Sequence, residues 1–291
     1  MSGDGVHHNM QIELKNINYI YHAGEAGETH ALKDISFQIP ENQFIALAGS
    51  TGSGKSTLVQ LLNGLKLPSS GQILYDGHSI GNDKKALRKI RCRAGLVFQY
   101  PEYQLFDETL LKDVSYGPKN QGLPAKEAEE KARAALYQVG LKEELFQKSP
   151  FDLSGGEKRR AAIAGILAME PEVLILDEPT AGLDPAGKIH LLKLLQKIHT
   201  DTGNTTIMVT HNMDEAAEYA ERILVLDEGK LIMDGDPHQV FSRDEELRRI
   251  HLSVPQVTQI CQDLGISGCI TVEEAAKAIA SSIGGLVSSR E

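Results

Sequence analysis

The stretch GSTGSGKS, residues 49–56, constrains the fold more strongly than any other part of the chain. It fits the pattern G-x-x-x-x-G-K-[ST] and lies between a short apolar run, FIALAG, and KSTLVQLLNGL, whose apolar residues have helical spacing. This order predicts a strand, a glycine loop and a helix, with backbone N–H groups facing phosphate oxygens at the helix N-terminus. A merely flexible Gly/Ser loop is the alternative, and the flanking elements count against it.

The predicted ATP-binding residues of this loop form one unbroken run. They are Gly49, Ser50, Thr51, Gly52, Ser53, Gly54, Lys55, Ser56 and Thr57. We expect Lys55 to reach the β- and γ-phosphates and Ser56 to offer its hydroxyl to Mg²⁺. The predicted ligands are therefore ATP and Mg²⁺.

Two later apolar runs end in polar side chains. VLILDEP, residues 173–179, delivers Asp177 and Glu178, and IMVTHN ends a further run with His211. Ligands of open α/β sheets bind at the carboxyl ends of strands, so Asp177 is expected to hold Mg²⁺ and Glu178 to take a proton from attacking water, or to orient that water. His211 would hydrogen-bond the γ-phosphate. The alternatives are an ordinary Asp-Glu-Pro strand exit and a structural histidine.

The order of elements predicts an α/β fold. Residues 12–39 alternate apolar and polar side chains around a Gly-rich loop, which favours antiparallel strands. EVLILDEP, TTIMVTH and RILVLDEG are instead β-rich runs separated by helices, which favours a parallel sheet. We predict a flexible leader over residues 1–10 and a nucleotide-binding domain over 11–235 with a helical subdomain at about 100–165. A C-terminal helical extension over 236–291 completes the prediction.

Charge and cysteine content exclude some classes of protein. The formal net charge of −10, from 40 acidic and 30 basic residues, argues against nucleic acid as the main partner. The three cysteines have no C-x-x-C spacing and are typical of free thiols in a reducing compartment. The longest apolar stretch, AAIAGILAM, is about half of what a membrane-spanning helix needs. We therefore expect any membrane role to come through partners.

LSGGEKRRAAIAG, residues 153–165, places a serine and two glycines at the start of a helix. This pattern is typical of a helix N-cap and turn, or of a helix N-terminus that faces an anion. Lying between the phosphate loop and LDEP, LSGGE resembles the signature motif of ATP-binding-cassette (ABC) ATPases. Gln99, Asp184 and His211 then match the Q-, D- and H-loops of that family, and Gln99 joins Ser56 and Asp177 as an implied metal-site residue.

The resemblance implies roles that spacing alone does not. Tyr21 falls where the family has an aromatic residue stacked on adenine, with Tyr19 as the competitor. Two cassettes of this family pair head to tail, so each signature motif contacts the γ-phosphate bound by the partner. The signature residues are Leu153, Ser154, Gly155, Gly156 and Glu157. Glu157 replaces the commoner glutamine, and we expect its side chain to face away from the phosphates.

Longer stretches are similar to one branch of the family, the ATPase subunits of energy-coupling-factor (ECF) vitamin transporters. They include VFQYPEYQLFDETLLKDVSYGPKNQG, residues 97–122, and SPFDLSGGEKRRAAIAGILAMEPEVLILDEPTAGLDP, residues 149–185. The similarity runs from Ile12 to the C-terminal helices. The loop HAGEAGETHALKD and GSTGSGKST resemble the second (A-prime) ATPase of the family more than the first.

This resemblance implies partners and a location. It implies an ATP-hydrolysing subunit that pairs with a second ECF ATPase, as a heterodimer, and drives uptake of vitamins or other micronutrients. The other partners would be a transmembrane T subunit and a substrate-binding S component. The chain would lie peripherally on the cytoplasmic face of a prokaryotic cell membrane and would bind no nucleic acid.

Two further stretches are candidate partner surfaces. YPEYQLF clusters Tyr100, Tyr103, Leu105 and Phe106 after Gln99, either as subdomain core or as a groove, which in this family receives a coupling helix of the T subunit. The second stretch, after residue 236, has apolar residues near helical spacing, namely Leu247, Ile250, Val254, Val257, Ile260 and Leu264. It forms a stabilising cap or, as the resemblance implies, helps to hold the two ATPases together. Cys261 and Cys269 in this stretch are expected to be small core residues.

Overall fold

A computed structural model describes residues 10–79 and 81–288, with residues 283–288 described as backbone only. In chain order the strands are β1 (Ile12–Tyr21), β2 (Thr29–Ile39), β3 (Phe44–Gly49), β4 (Ser70–Tyr75), β5 (His78–Ser79), β6 (Ala94–Val97), β7 (Val173–Asp177), β8 (Thr205–Val209), β9 (Arg222–Asp227) and β10 (Lys230–Gly235). The α-helices are α1 (Lys55–Leu62), α2 (Lys84–Arg93), α3 (Leu110–Gln121), α4 (Ala125–Gln138), α5 (Gly155–Leu167), α6 (Pro185–Thr202), α7 (Met213–Tyr219), α8 (Pro237–Phe241), α9 (Asp244–Arg249), α10 (Gln256–Asp263) and α11 (Val272–Ser288). Short 3₁₀ helices cover Pro101–Gln104, Glu143–Leu145 and Pro150–Asp152.

The larger sheet positions the candidate site. Its strand order is β10-β9-β3-β8-β7-β6, with β9, β3, β8, β7 and β6 parallel and β10 antiparallel to β9. Every residue of β3, β7 and β8 is buried, as expected for central parallel strands covered on both faces. The carboxyl ends of β3, β8, β7 and β6 lie side by side, and we call this the carboxyl edge.

The predicted mixture of parallel and antiparallel sheets with a helical subdomain is confirmed. The smaller sheet is antiparallel, in the order β2-β1-β4-β5. Its apolar face packs with α1 and one face of the larger sheet, while α3, α4 and α5 share a second cluster with the other face. None of the described helices is both long and apolar enough to cross a bilayer.

The N-terminal boundary lies earlier than predicted. Met10 is fully buried and belongs to the cluster that contains Ile12 and Leu14. We predicted Met10 as the last residue of a flexible leader, and this is corrected because its apolar side chain completes the core of the smaller sheet. The rest of that predicted leader, residues 1–9, lies outside the described residues.

The C-terminal segment divides into two parts by its packing. Phe241 of α8 and Leu247 of α9 are buried in a cluster with Phe44 of β3, so these two helices are continuous with the sheet core. Helices α10 and α11 instead enclose a small cluster of their own around Cys261 and Cys269. The outer surface of α10 and the segment after it expose Ile260, Leu264 and Val272 by 56%, 61% and 74%.

Candidate functional site

The loop between β3 and α1 has a backbone that only glycine accommodates at two positions. Gly49 has φ +151° and a Cβ there would lie 2.3 Å from the carbonyl oxygen of Leu226. Gly54 has φ +107° and its Cβ would lie 2.7 Å from the carbonyl oxygen of Ala31. A side chain at either place would force the loop out of its curl, so the glycines are explained by the close approach of neighbouring backbone.

The interior of this loop is suited to a phosphate group. The Lys55 ammonium donates to the carbonyl oxygens of Gly49 and Ser50, both at 2.8 Å. Burial lowers the pKa of Lys55, while Glu178 and Asp177 raise it in part. The buried Ser53 Oγ has no hydrogen-bond partner within the described chain. A triphosphate would supply the acceptors that these donors need, so the residues fit the nucleotide.

Ser56 and Asp177 meet at the carboxyl edge. The Ser56 hydroxyl bonds the Asp177 carboxylate, which is only 9% exposed. Burial raises the pKa of Asp177, the Ser56 hydrogen bond lowers it, Glu178 raises it and Lys55 lowers it, with burial the largest effect. A buried carboxylate beside a hydroxyl is a donor set that Mg²⁺ favours, so these two residues fit the predicted ion.

Glu178 lies between two side chains from neighbouring strand ends. Gln99, after β6, donates its amide N–H to Glu178 Oε2 at 3.0 Å. His211, after β8, has Nδ1 3.6 Å from Glu178 Oε1. The structure therefore brings Gln99, Glu178 and His211 together, and Gln99 contacts this carboxylate rather than Ser56 or Asp177.

A buried glutamate joins the loops after β7 and β8, and sequence reasoning missed it. Glu215 of α7 is only 6% exposed, and its carboxylate accepts from the Thr180 hydroxyl at 3.0 Å and from the Thr210 hydroxyl at 2.9 Å. In sequence Glu215 is one of several acidic residues in MDEAAEYAE, and nothing in that pattern separates it from surface carboxylates.

Of the two tyrosines considered for the base, Tyr21 is the one that bonds the first turn of the phosphate-loop helix. Its hydroxyl is 3.0 Å from Thr57 Oγ1, whereas the Tyr19 hydroxyl accepts from Lys66 Nζ at 3.3 Å. The two rings meet edge to face with centroids 4.9 Å apart, and Lys66 Nζ lies 4.5 Å from the Tyr21 ring centroid. Tyr21 is therefore the better placed of the two for a base bound next to α1.

The signature serine is engaged by its own chain. Ser154 is the N-cap of α5, and its backbone N–H and hydroxyl donate to Glu157 Oε2 at 2.8 and 2.6 Å. These bonds lower the pKa of Glu157. The Glu157 carboxylate lies at the start of the helix, because two donors converge there. That its side chain faces away from the phosphates of a partner stays a prediction.

Asp184 lies near the signature motif. It caps α6 by accepting from the Gly187 N–H at 2.7 Å, and it borders a depression of about 410 Å³ with Gly156 and Arg160. Leu153 is buried, whereas a Cβ at Gly155 would meet nothing within 4 Å and one at Gly156 would meet only Arg160 Nη1, at 3.9 Å. Among the described residues no hydrogen bond joins 153–157 to 49–57.

The four predicted groove residues do not line one groove. Phe106 is 59% exposed and packs edge to face on Tyr116 of α3, beside a groove of about 460 Å³ between α2, α3 and α5. Tyr103, 84% exposed, borders a separate depression with Phe151, and Tyr100 borders the carboxyl edge with Gln99 and Glu178. Leu105 is only 7% exposed, so this residue is core, because it forms the floor between the two outer depressions.

This geometry defines a phosphate-loop nucleoside triphosphatase with a helical subdomain. Residues 32–181 match the ABC transporter family. The chain is 50% identical over 272 residues to the "Energy-coupling factor transporter ATP-binding protein EcfA2" of Caldanaerobacter subterraneus subsp. tengcongensis, covering 91% of this chain and 95% of the relative. It is 48% identical over 266 residues to the protein of the same name from Clostridium perfringens, covering 91% and 93%.

The chain belongs to the ATP-binding proteins of energy-coupling factor transporters, within the ABC family, and is an ATPase. These relatives are named EcfA2, which agrees with the predicted resemblance to the second ATPase of the family.

Solved structures agree with this assignment. cbiO1 from Clostridium perfringens, described as part of the ABC transporter complex cbiONQ, has a TM-score of 0.74 and 41% identity, covering 88% of this chain and 98% of that one. The cassette MJ0796, as a dimer bound to ADP and Pi, has a TM-score of 0.69 and 31% identity, covering 78% and 98%.

Proposed function

We propose that this ATPase forms an ATP-closed pair with a second ECF ATPase. The pair would power uptake of vitamins or other micronutrients through a T subunit and an S component. The observation that carries the proposal is that no hydrogen bond joins 49–57 to 153–157 within the described chain, although the family resemblance assigns both segments to one triphosphate. The dimeric ADP- and Pi-bound state of the related cassette MJ0796 supports the pairing.

In this mechanism the phosphate loop binds ATP before the two ATPases close. Lys55 exchanges the carbonyl oxygens of Gly49 and Ser50 for phosphate oxygens, and the backbone N–H groups of the loop and α1 complete the cradle. Tyr21 stacks on the base. Ser56 and Asp177 would hold Mg²⁺, with Gln99 at its edge, and the ion would neutralise charge that develops on the phosphates.

Hydrolysis in the proposed mechanism depends on Glu178. This carboxylate orients the attacking water and takes up its proton, while Gln99 donates to one of its oxygens and His211 lies 3.6 Å from the other. His211, whose side chain is 70% exposed, is free to reach the γ-phosphate once the partner covers the site.

The partner completes the site from outside. Ser154 would donate to the γ-phosphate held by the other ATPase, with the N–H groups of Gly155 and Gly156 and the start of α5 adding further stabilisation. A single hydroxyl hydrogen cannot be donated to two acceptors, so Glu157 must release Ser154 Oγ when the pair closes. Asp184, which borders the same depression as Gly156, would meet the same partner.

The groove beside Phe106 is the proposed binding site for the T subunit, and it tests the transporter function. Changing Phe106→Ala and Tyr116→Ala together should weaken assembly with the membrane subunit by roughly 10³-fold, because aromatic hot-spot residues contribute about 2 kcal/mol each and 1.4 kcal/mol is a factor of ten. The measurement is co-purification of the T subunit and uptake of radiolabelled vitamins by cells that express the complex. Tyr137→Leu, on α4 outside the groove, is the control. Normal uptake by the double variant would contradict this assignment.

The exposed apolar surface of α10 is the proposed contact between the two ATPases, which keeps them paired between turnovers. The double variant Ile260→Asp, Leu264→Asp should raise the dissociation constant of the nucleotide-free pair by roughly 10²-fold, because two carboxylates would be buried against an apolar surface. Analytical ultracentrifugation of the two co-expressed ATPases measures the effect, with Gln262→Glu on the same helix as the control. An unchanged dissociation constant would contradict this contact and would indicate that α10 only stabilises its own chain.

The proposed location follows from these partners. The chain would lie on the cytoplasmic face of the cell membrane and reach the bilayer only through the T subunit. The net charge of −10 supports a protein partner in preference to nucleic acid.

A further inference from the structure

Arg159, in the second turn of α5, makes an unusually complete set of contacts. It is only 4% exposed, and its guanidinium binds Glu102 through Nε at 3.0 Å and through Nη2 at 2.7 Å. Its third nitrogen, Nη1, donates to the carbonyl oxygens of Pro179 at 3.1 Å and Ala181 at 2.7 Å. One side chain therefore joins the segment after Gln99 to the loop after Glu178.

The loop 179–181 is held from both sides. Arg159 takes the carbonyl oxygens of its first and third residues, and Glu215 takes the hydroxyl of Thr180 between them. Both anchors are buried, and both are charged groups bonded to neutral partners, which are among the stronger hydrogen bonds in proteins. The loop is fixed between α5 on one side and α7 on the other.

The residue that this loop follows is backbone-strained. Glu178 has φ +48°, a conformation that costs energy for a residue with a side chain and persists only where surrounding contacts enforce it. Its N–H is fixed by the carbonyl of Val209, and its own carbonyl accepts from the Ala181 N–H at 3.1 Å. Ala181 thus bonds the Glu178 carbonyl through its N–H and Arg159 through its own carbonyl, so one residue links the guanidinium to the backbone from which the Glu178 side chain extends.

The other end of the contact belongs to a partner-facing segment. Glu102 lies in the 3₁₀ helix Pro101–Gln104, and the chain runs from there directly into Leu105 and Phe106. Burial raises the pKa of Glu102, but the bonds from Arg159 outweigh it and hold the pKa below its ordinary value, so the pair stays ionised at neutral pH. A displacement of Phe106 would be passed along this short helix to Arg159.

We propose that Arg159, through Glu102, is a positioning residue for Glu178. It links the groove segment to the hydrolytic carboxylate by a path within one chain that does not pass through the nucleotide. This inference rests on the proposed function, because it gives the groove segment a mechanical connection to hydrolysis. This path is separate from the direct hydrogen bond between Gln99 and Glu178.

The test uses Arg159→Lys and Glu102→Gln, singly and combined, in the full transporter complex in lipid nanodiscs. Lysine keeps the charge but cannot bind two carboxylate oxygens and two carbonyls at once. Arg133→Lys is the matched control, since Arg133 forms an exposed ion pair with Glu143 in the same subdomain. The readouts are kcat and KM for ATP over a range of temperatures and the thermal midpoint of each purified variant.

We expect each single variant to lower kcat roughly tenfold, because small misplacements of a reacting group are costly, and to leave KM for ATP within about twofold. The double variant should lose no more kcat than the more impaired single variant does, because both substitutions remove the same contact. A kcat within about twofold of wild type overturns the proposal. So does a loss of kcat that disappears on cooling below a lowered thermal midpoint, since that would be a purely structural effect. Either failure leaves the transporter function intact, which fails only if wild-type complex does not couple ATP hydrolysis to uptake.

Discussion

Replacing Glu178 with glutamine is expected to lower the rate of ATP hydrolysis by roughly 10²- to 10⁴-fold, the contribution typical of a positioned general base. Glutamine keeps the size of the side chain and still accepts a hydrogen bond from Gln99, but it takes up no proton. The phosphate loop is untouched, so ATP affinity should stay within about twofold of wild type.

The same variant should accumulate as a closed pair in the presence of ATP. In the proposed mechanism hydrolysis removes the γ-phosphate that joins the two chains, and the variant would not remove it. Phosphate release and the mass of the ATP-bound species, measured side by side, test both effects. Glu144→Gln, on an exposed 3₁₀ helix of the helical subdomain, is the control. Unchanged phosphate release would remove Glu178 from the role of proton acceptor.

Changing Lys55→Met should reduce ATP affinity by roughly 10²-fold. The expectation assumes two charge-assisted hydrogen bonds to phosphate at about 1.5 kcal/mol each, and 1.4 kcal/mol corresponds to a factor of ten. Without nucleotide the variant should be no less stable than wild type, because burial lowers the pKa of Lys55 and so opposes its charge.

Thermal unfolding with and without Mg-ATP separates these two effects. Wild-type chain should gain stability with ATP by mass action, and Lys55→Met should lose most of that gain at the same ATP concentration. Lys197→Met, on the exposed side of α6, is the control for loss of one positive charge. An ATP-dependent gain equal to that of wild type would show that Lys55 does not contact the phosphates.

Local patterns made the sheet and the phosphate loop predictable from sequence. The buried runs that form β3 and β7 are short, continuous and bounded by glycine or carboxylates, so they indicate both a strand and the edge where it ends. Parallel strands then bring their carboxyl ends together, which is why Gln99, Glu178 and His211 meet although 112 positions separate the first from the last.

The contacts that sequence reasoning missed depend on packing between distant segments. Arg159 follows a lysine and precedes an arginine, and no pattern marks it as the buried one. Leu105 lies among exposed aromatics and yet faces inward, because the 3₁₀ helix before it turns the chain. The bond between Glu157 and Ser154 was missed too, because a capping box is a side-chain arrangement that the spacing permits but does not require.

The central claim is that a triphosphate is enclosed only when the glycine loop of one ATPase meets Ser154 of another. The most direct measurement is an experimental structure of the Glu178→Gln variant, closed with its partner ATPase around Mg-ATP. We predict Ser154 Oγ within about 3.2 Å of an oxygen of the γ-phosphate held by the partner, and no longer donating to Glu157. A closed assembly in which Ser154 points into solvent, or still donates to Glu157 with the phosphate out of reach, would contradict the account.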